Sequence, residues 1–169
     1  MAQGLTPAAT SWLYSAQMAT NERRISASPE QVFGVLADGW LYPTWVVGAS
    51  RMRKVDAAWP AVEARLHHSA GVWPLLLNDE TRILEWQPPH RAVLEAKGWP
   101  FGTATVELEV IPDGSGCTVR ITENPSRGPG ALVPKPVRDP LIKIRNTETL
   151  RRLAFLAEGD ARPVLPPAT

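Results

Sequence analysis

Between Ser50 and Asn124 apolar and polar side chains alternate with a period of two, and turn signals interrupt the alternation at short intervals. Nothing else in the chain constrains its fold as tightly, because a period of two fits only an extended strand with one buried face. Val62, Ala64, Leu66 and His68 alternate with Glu63, Arg65 and His67. Ala104, Val106, Leu108 and Val110 alternate with Thr103, Thr105, Glu107 and Glu109. Cys117, Val119 and Ile121 do the same against Thr118, Arg120 and Thr122. Ala92, Leu94 and Ala96 follow the rule too, with Val93 as the exception. The turns fall at Gln87–His90, Trp99–Gly102 and Pro112–Gly116, all rich in Pro or Gly. Further strands are predicted over Leu75–Trp86, around Arg51–Val55 and just after Met18, about seven in total. Half-wet strands of this kind belong to an antiparallel sheet with one face covered.

Helix signals flank the alternating region. Ser28-Pro29-Glu30-Gln31 reads as a capping box with proline at the first helical position, which launches a short helix burying Val32, Phe33, Val35 and Leu36. A second short helix is predicted over Trp40–Val46, stopped at Gly48. Asn124–Pro136, with four prolines and two glycines, reads as a long loop. Asp139-Pro140 then repeats the cap-plus-proline signal and predicts a long helix to about Glu158. At helical spacing Ile142, Leu150, Leu153 and Ala157 form one stripe, with Asn146 in its middle. Leu141, Ile144 and Phe155 fall on the opposite side, where a one-faced helix should be polar. They need a cover, either the Met1–Gln17 arm or a second subunit.

Composition removes several function classes. Eighteen basic and 17 acidic residues nearly cancel, so no global field draws the chain to nucleic acid or to an anionic membrane. No apolar run approaches the length of a membrane span. One cysteine, Cys117, excludes an internal disulfide and a cysteine-rich zinc site. His67 and His68 are adjacent in a strand and point to opposite faces, so they do not share a metal. The sequence holds no phosphate loop, no dinucleotide-binding glycine motif and no nucleophile elbow. No cofactor or metal is therefore expected, and the protein is expected to be cytoplasmic, a monomer or weak homodimer.

Four segments, in order, carry a resemblance: Ser28–Asp38, Tyr42–Val46, Glu85–Arg91 and Asn146–Leu153. Together with the order of elements they resemble the helix-grip fold of the SRPBCC superfamily, in its START-like, polyketide cyclase/dehydrase branch. The resemblance covers about Met18–Glu158. It implies an α+β fold, a curved seven-stranded antiparallel sheet wrapped around the C-terminal helix with two short helices after strand 1. It implies residues 1–17 as an arm, 18–158 as the domain and 159–169 as a proline-rich tail. It also implies a cavity between sheet and helix for an apolar or amphipathic small molecule. The superfamily's inward polar residues differ between members, so no catalytic motif carries over.

Six residues are candidates for contact with such a ligand. Trp45, Trp73 and Trp99 sit at element ends, near where this fold opens its cavity. His68 shares the inward face with Ala64 and Leu66, either as a hydrogen-bonded core histidine or as a ligand contact. Asn146 needs polar partners, either a strand or loop carbonyl or the contents of a cavity. Arg82 joins them if the set Asn78, Glu80, Arg82 faces inward; the opposite set, Asp79, Thr81, Ile83, competes for that face. The leading expectation is a small-molecule binding or carrier protein. The alternatives are an aromatase/cyclase-like enzyme, with His68, Arg82 or Asn146 assisting proton transfer, and a protein-interaction module using Leu141, Ile144 and Phe155.

Because Met1–Gln17 precedes the recognisable fold, a chain beginning at Met18 is expected to fold as a soluble domain. A melting temperature within a few degrees of the full chain meets that expectation. A larger drop shows that the arm, with Trp12 and Leu13, covers apolar surface of the domain.

Overall fold

A computed structural model of the chain describes residues 19–72, 74–98 and 102–160. Seven antiparallel strands form one curled sheet in the order β1-β7-β6-β5-β4-β3-β2. They are β1 (Ala19–Ile25), β2 (Ala49–Val55), β3 (Arg65–Val72), β4 (Leu75–Gln87), β5 (Arg91–Gly98), β6 (Gly102–Asp113) and β7 (Gly116–Arg127). Every strand from β2 onward pairs with its sequence neighbour, and β1 closes against β7. Between β1 and β2 run α1 (Pro29–Ala37), a 3-10 turn (Gly39–Leu41) and α2 (Tyr42–Trp45). After β7 come a short α3 (Pro129–Leu132) and the long α4 (Lys135–Asp160). This is the helix-grip architecture.

The inward half of the alternation supplies the core. Leu66, Ile83, Leu94, Leu108, Val110, Val119 and Ile121 cluster with Leu150, Leu153, Ala154 and Ala157 of α4 and with Val32, Phe33, Val35 and Leu36 of α1. The outward half forms ladders of cross-strand ion pairs. Arg82 bridges Glu63 and Glu95 at 2.8 and 2.9 Å, Arg120 bridges Glu22 and Glu109 at 2.6 and 3.0 Å, and Arg91 joins Glu107 and Glu85. Each pair at this exposure contributes about 0–1 kcal/mol, but the set keeps the outer face wet and the register single-valued. Both edge strands carry exposed basic residues, Arg23 and Arg24 on β1 and Arg51, Arg53 and Lys54 on β2. Such charge discourages edge-to-edge pairing.

The capping box forms as expected: Ser28 Oγ accepts from Gln31 N at 3.3 Å, and Gln31 Oε1 accepts from Ser28 N at 2.8 Å. On α4 the stripe Asn146, Leu150, Leu153, Ala157 is buried, while Leu141, Ile144 and Phe155 are exposed. Side-chain bonds from Asn21 Nδ2 to the Lys143 carbonyl (3.0 Å) and Thr147 Oγ1 (2.8 Å), and from Ser26 N to Glu158 Oε1 (2.9 Å), tie the helix to β1 and its end.

Three local expectations change. The predicted loop over Asn124–Pro136 is largely ordered structure, since β7 continues to Arg127 and α3 follows. Pairing with β6 holds that segment extended, and Pro125 fits beside an irregularity in the register between Thr103 and Ala104. The long helix begins at Lys135, not at Asp139, with Pro140 inside it. So near the start of a helix a proline forfeits one backbone bond and need not mark the first residue. Val62 is exposed, because β3 begins only at Arg65, after Glu63 with a positive φ of 70°. The Met1–Gln17 arm and residues 161–169 of the expected tail lie outside the described residues, while Gly159 and Asp160 continue α4.

Candidate functional site

Where α4 crosses α2 and the inner face of β5, β6 and β7, side chains do not fill the space. The cavity there measures about 70 Å³. Roughly five waters, or a group about the size of one aromatic ring, occupy such a volume. Leu94, Ala96, Val106 and Ile121 form its strand wall, and Tyr42, Trp45 and Val46 its α2 wall. Glu123, Arg145, Asn146 and Thr149 close it on the polar side. Ala96 is opposite another alanine, Ala104, in the β5–β6 register, so this part of the inner face is low. A smaller space of about 10 Å³ lies beyond Tyr42, Trp45 and Leu94, against Leu36, Trp59, Trp86, Ala92 and Leu108.

The polar side is a buried network. Glu123 is the next inward residue after Cys117, Val119 and Ile121 on β7, and it is only 6% exposed. A carboxylate so placed needs compensation. It receives the Arg145 guanidinium, and Asn146 Nδ2 donates to its Oε2 at 3.4 Å. Asn146 Oδ1 accepts from Arg145 Nη2 at 3.1 Å, which satisfies a helix amide that is 1% exposed. Thr149 Oγ1 accepts from Val47 N at 3.3 Å and so binds the end of α2 to α4. Trp45 is 4% exposed, and its Nε1 has no hydrogen-bond partner among the described residues.

A second polar group underlies Tyr42. Its hydroxyl and Thr81 Oγ1 are 2.9 Å apart, and His68 Nε2 lies 3.1 Å from the same Thr81 oxygen. The Tyr42 and His68 rings face each other at 5.0 Å, tilted by 33°. Burial, helped by the positive charge of Arg53, pushes the His68 pKa down to about 4. Burial raises that of Tyr42. Both are therefore neutral at pH 7, and an imidazole with so low a pKa is a feeble proton acceptor there. Cys117 is a buried thiol whose pKa burial raises, which makes it a core residue and a poor nucleophile.

Of the six residues expected at a site, the structure brings Trp45 and Asn146 together on the cavity wall. His68 is buried on the inner face and reaches the cavity only through Thr81 and Tyr42. Arg82 faces the other way: Asp79, Thr81 and Ile83 take the inner face, and Arg82 is held on the outer face by Glu63 and Glu95. Neither alternating set holds throughout, because β4 carries an extra residue between Ile83 and Glu85. That bulge returns Trp86 to the inner side, where it meets Phe33 edge-on at 5.1 Å. Trp73 and Trp99 lie outside the described residues. Sequence reasoning missed Glu123 and Arg145. Extending the β7 alternation by one more step finds Glu123, and Arg145 is the neighbour of Asn146.

Residues 17–158 match the model of the family described as polyketide cyclase / dehydrase and lipid transport. The chain belongs to this family. Two of the four segments that carried the resemblance, Tyr42–Val46 and Asn146–Leu153, contribute walls of the cavity. No curated protein matches the sequence. Solved structures with the same fold include a protein of Mesorhizobium loti, 18% identical over 88% of this chain and 100% of that one, with a TM-score of 0.65. A protein of Rhodobacter sphaeroides is 20% identical over 83% of this chain and 91% of that one, also at 0.65. The di-domain ARO/CYC StfQ of the steffimycin biosynthetic pathway is 12% identical over 85% of this chain and 52% of that one, at 0.62. Among the described residues of this family member no helix is long and apolar enough to cross a membrane, and no three potential metal ligands cluster.

The depressed His68 pKa sets a pH dependence. The unfolded chain takes up this proton near pH 6.5, the folded chain only near pH 4, so protons favour unfolding between those values. His68 is thus expected to remove on the order of 3 kcal/mol of stability as pH falls from about 6.5 to 4. Denaturant unfolding of the wild type and His68→Gln across this range checks it: the wild type should lose more stability than the variant. Parallel curves would show that the imidazole is not held neutral.

Proposed function

We propose that this protein binds or carries a hydrophobic or amphipathic small molecule in the space between its sheet and α4. The observation that carries the reading is the cavity itself, apolar at Leu94, Val106 and Ile121 of the strands and polar at Glu123 of β7 and along α4. Protein interiors are normally packed to crystal density, and an unfilled space beneath a long helix costs stability. A binding function explains why Ala96 stands where a larger side chain would close it. The volume suits one ring or the end of a chain, so a larger ligand seats one part here and needs α2 and α4 to part around the rest. Family membership in a group described by cyclases and lipid transport supports the same reading.

The likeness to StfQ supports a second reading, an aromatase/cyclase-like enzyme. The residues expected to assist proton transfer do not converge, however. Only Asn146 lines the cavity, His68 stands behind Tyr42, and Arg82 is on the outer face. The carrier reading is therefore preferred. As a carrier without a membrane-crossing helix among its described residues, the protein is assigned to the cytoplasm in this proposal.

N-phenyl-1-naphthylamine, a neutral apolar fluorophore, tests the proposal. It should bind with a Kd on the order of micromolar, about −8 kcal/mol, and raise the melting temperature by mass action. Ala96→Leu should fill the cavity and weaken binding at least about tenfold while the unfolding midpoint stays near that of the wild type. Unchanged binding in the variant contradicts the proposal. So does loss of folding, which would show the space to be already packed.

A further inference from the structure

The face of α4 turned away from the sheet carries a second stripe. Leu141, Ile144, Glu148, Arg151 and Phe155 follow one another at intervals of three, four, three and four residues. That spacing keeps them on one narrow ridge, the kind of seam along which two helices pack. The ridge lies opposite Asn146, Leu150, Leu153 and Ala157, which are buried. Leu141, Ile144 and Phe155 are each at least 60% exposed. From Leu141 to Phe155 the ridge spans about 21 Å. Large apolar side chains aligned in this way, rather than scattered singly, mark an interaction surface.

Charge identifies the occupant. The middle of the seam holds Glu148 and Arg151, one of each sign, between Ile144 and Phe155. Within one copy Glu148 meets Arg152 through Oε1 at 2.9 Å and Arg151 through Oε2 at 3.5 Å, while Arg151 Cζ stands 5.4 Å from the Phe155 ring centre. Residues 1–18 contain no Asp, Glu, Lys or Arg, so the N-terminal arm has no charge to set against this pair. A second α4 running antiparallel offers both signs. The register that sets Glu148 against the partner's Arg151 also sets Ile144 against the partner's Phe155, and the two-fold axis makes each contact twice. Glu148 keeps Arg152 on Oε1 and exchanges its own Arg151 for the partner's on Oε2. Arg145 and Arg152 fall on one flank of the seam, each already matched by a carboxylate of its own chain, Glu123 and Glu148.

We propose that α4 pairs antiparallel with α4 of a second copy of this chain, along Leu141, Ile144, Glu148, Arg151 and Phe155, to form a two-fold symmetric dimer. A few turns of one helix per copy make a small contact, so the dimer is weak, with a Kd on the order of 10 µM. The seam is on the helix face opposite Asn146, so pairing leaves the cavity wall untouched and the inference stands apart from the carrier reading.

Sedimentation velocity of the full chain between about 2 and 200 µM should show a monomer–dimer equilibrium. Glu148→Lys and Arg151→Glu each set like charges against one another in this register. Each should weaken self-association at least about tenfold, with the melting temperature of dilute protein within a few degrees of the wild type. An equimolar mixture of the two variants restores both opposite-charge pairs and should dimerise within about threefold of the wild type. A full chain that stays monomeric at about 200 µM overturns the proposal. If a chain beginning at Met18 dimerises where the full chain does not, the arm is the cover and the proposal is overturned likewise. Single variants that associate as well as the wild type, or a mixture that fails to recover, also overturn it.

Discussion

The structure depends on the burial of one stripe of α4 against the inner face of the sheet. Leu150, Leu153, Ala154 and Ala157 are at most 2% exposed, and each leucine contributes roughly 1.5–3 kcal/mol by leaving water. Those residues belong to the C-terminal half of the helix. On the outer face of both halves Leu141, Ile144 and Phe155 are mostly in solvent, and in the first half the stripe residue Ile142 is only partly buried. The helix is thus anchored mainly by its second half, while its first half contains Pro140, which lacks the backbone N–H for one helical bond. The cavity borders the helix at Arg145, Asn146 and Thr149.

Hydrogen bonds set where the stripe lands. Asn21 on Lys143 and Thr147, Val47 on Thr149 and Ser26 on Glu158 contribute modestly, about 0.5–1.5 kcal/mol each. Their larger effect is on register. They place Asn146 over Glu123 and so create a buried polar patch beside an apolar wall. An amide and a carboxylate at this depth would cost stability in a plain core; here each answers the other, and Arg145 brings its charge from the half-exposed rim. The second patch, His68, Thr81 and Tyr42, is held neutral by burial and positions Tyr42 between the two spaces.

Much of this architecture was legible in the sequence because burial acts on every second residue of a strand and on every third or fourth of a helix. Ala64, Leu66 and His68, the stripe through Asn146, and the cap at Ser28 needed no tertiary information. What was not legible arises from long-range pairing. A single extra residue in β4 reverses the facing of everything beyond Ile83, and no local signal announces it. Pro125 and the glycines near it imply a loop until β6 is laid alongside. Arg82 was ambiguous for the same reason, since two alternating sets of comparable polarity compete and only the ion pairs with Glu63 and Glu95 decide. Glu123 was hidden because a carboxylate is the residue least expected to extend an apolar face.

If the space between α2, α4 and β5–β7 takes a guest, as proposed, its apolar wall at Leu94, Val106 and Ile121 must be open to one. A crystal equilibrated under xenon pressure tests this without knowledge of the ligand, because xenon enters dry apolar cavities and leaves packed or water-filled ones alone. One xenon site is expected against Leu94, Val106 and Ile121. A cavity closed by side chains, or filled by ordered water that xenon does not displace, would contradict it.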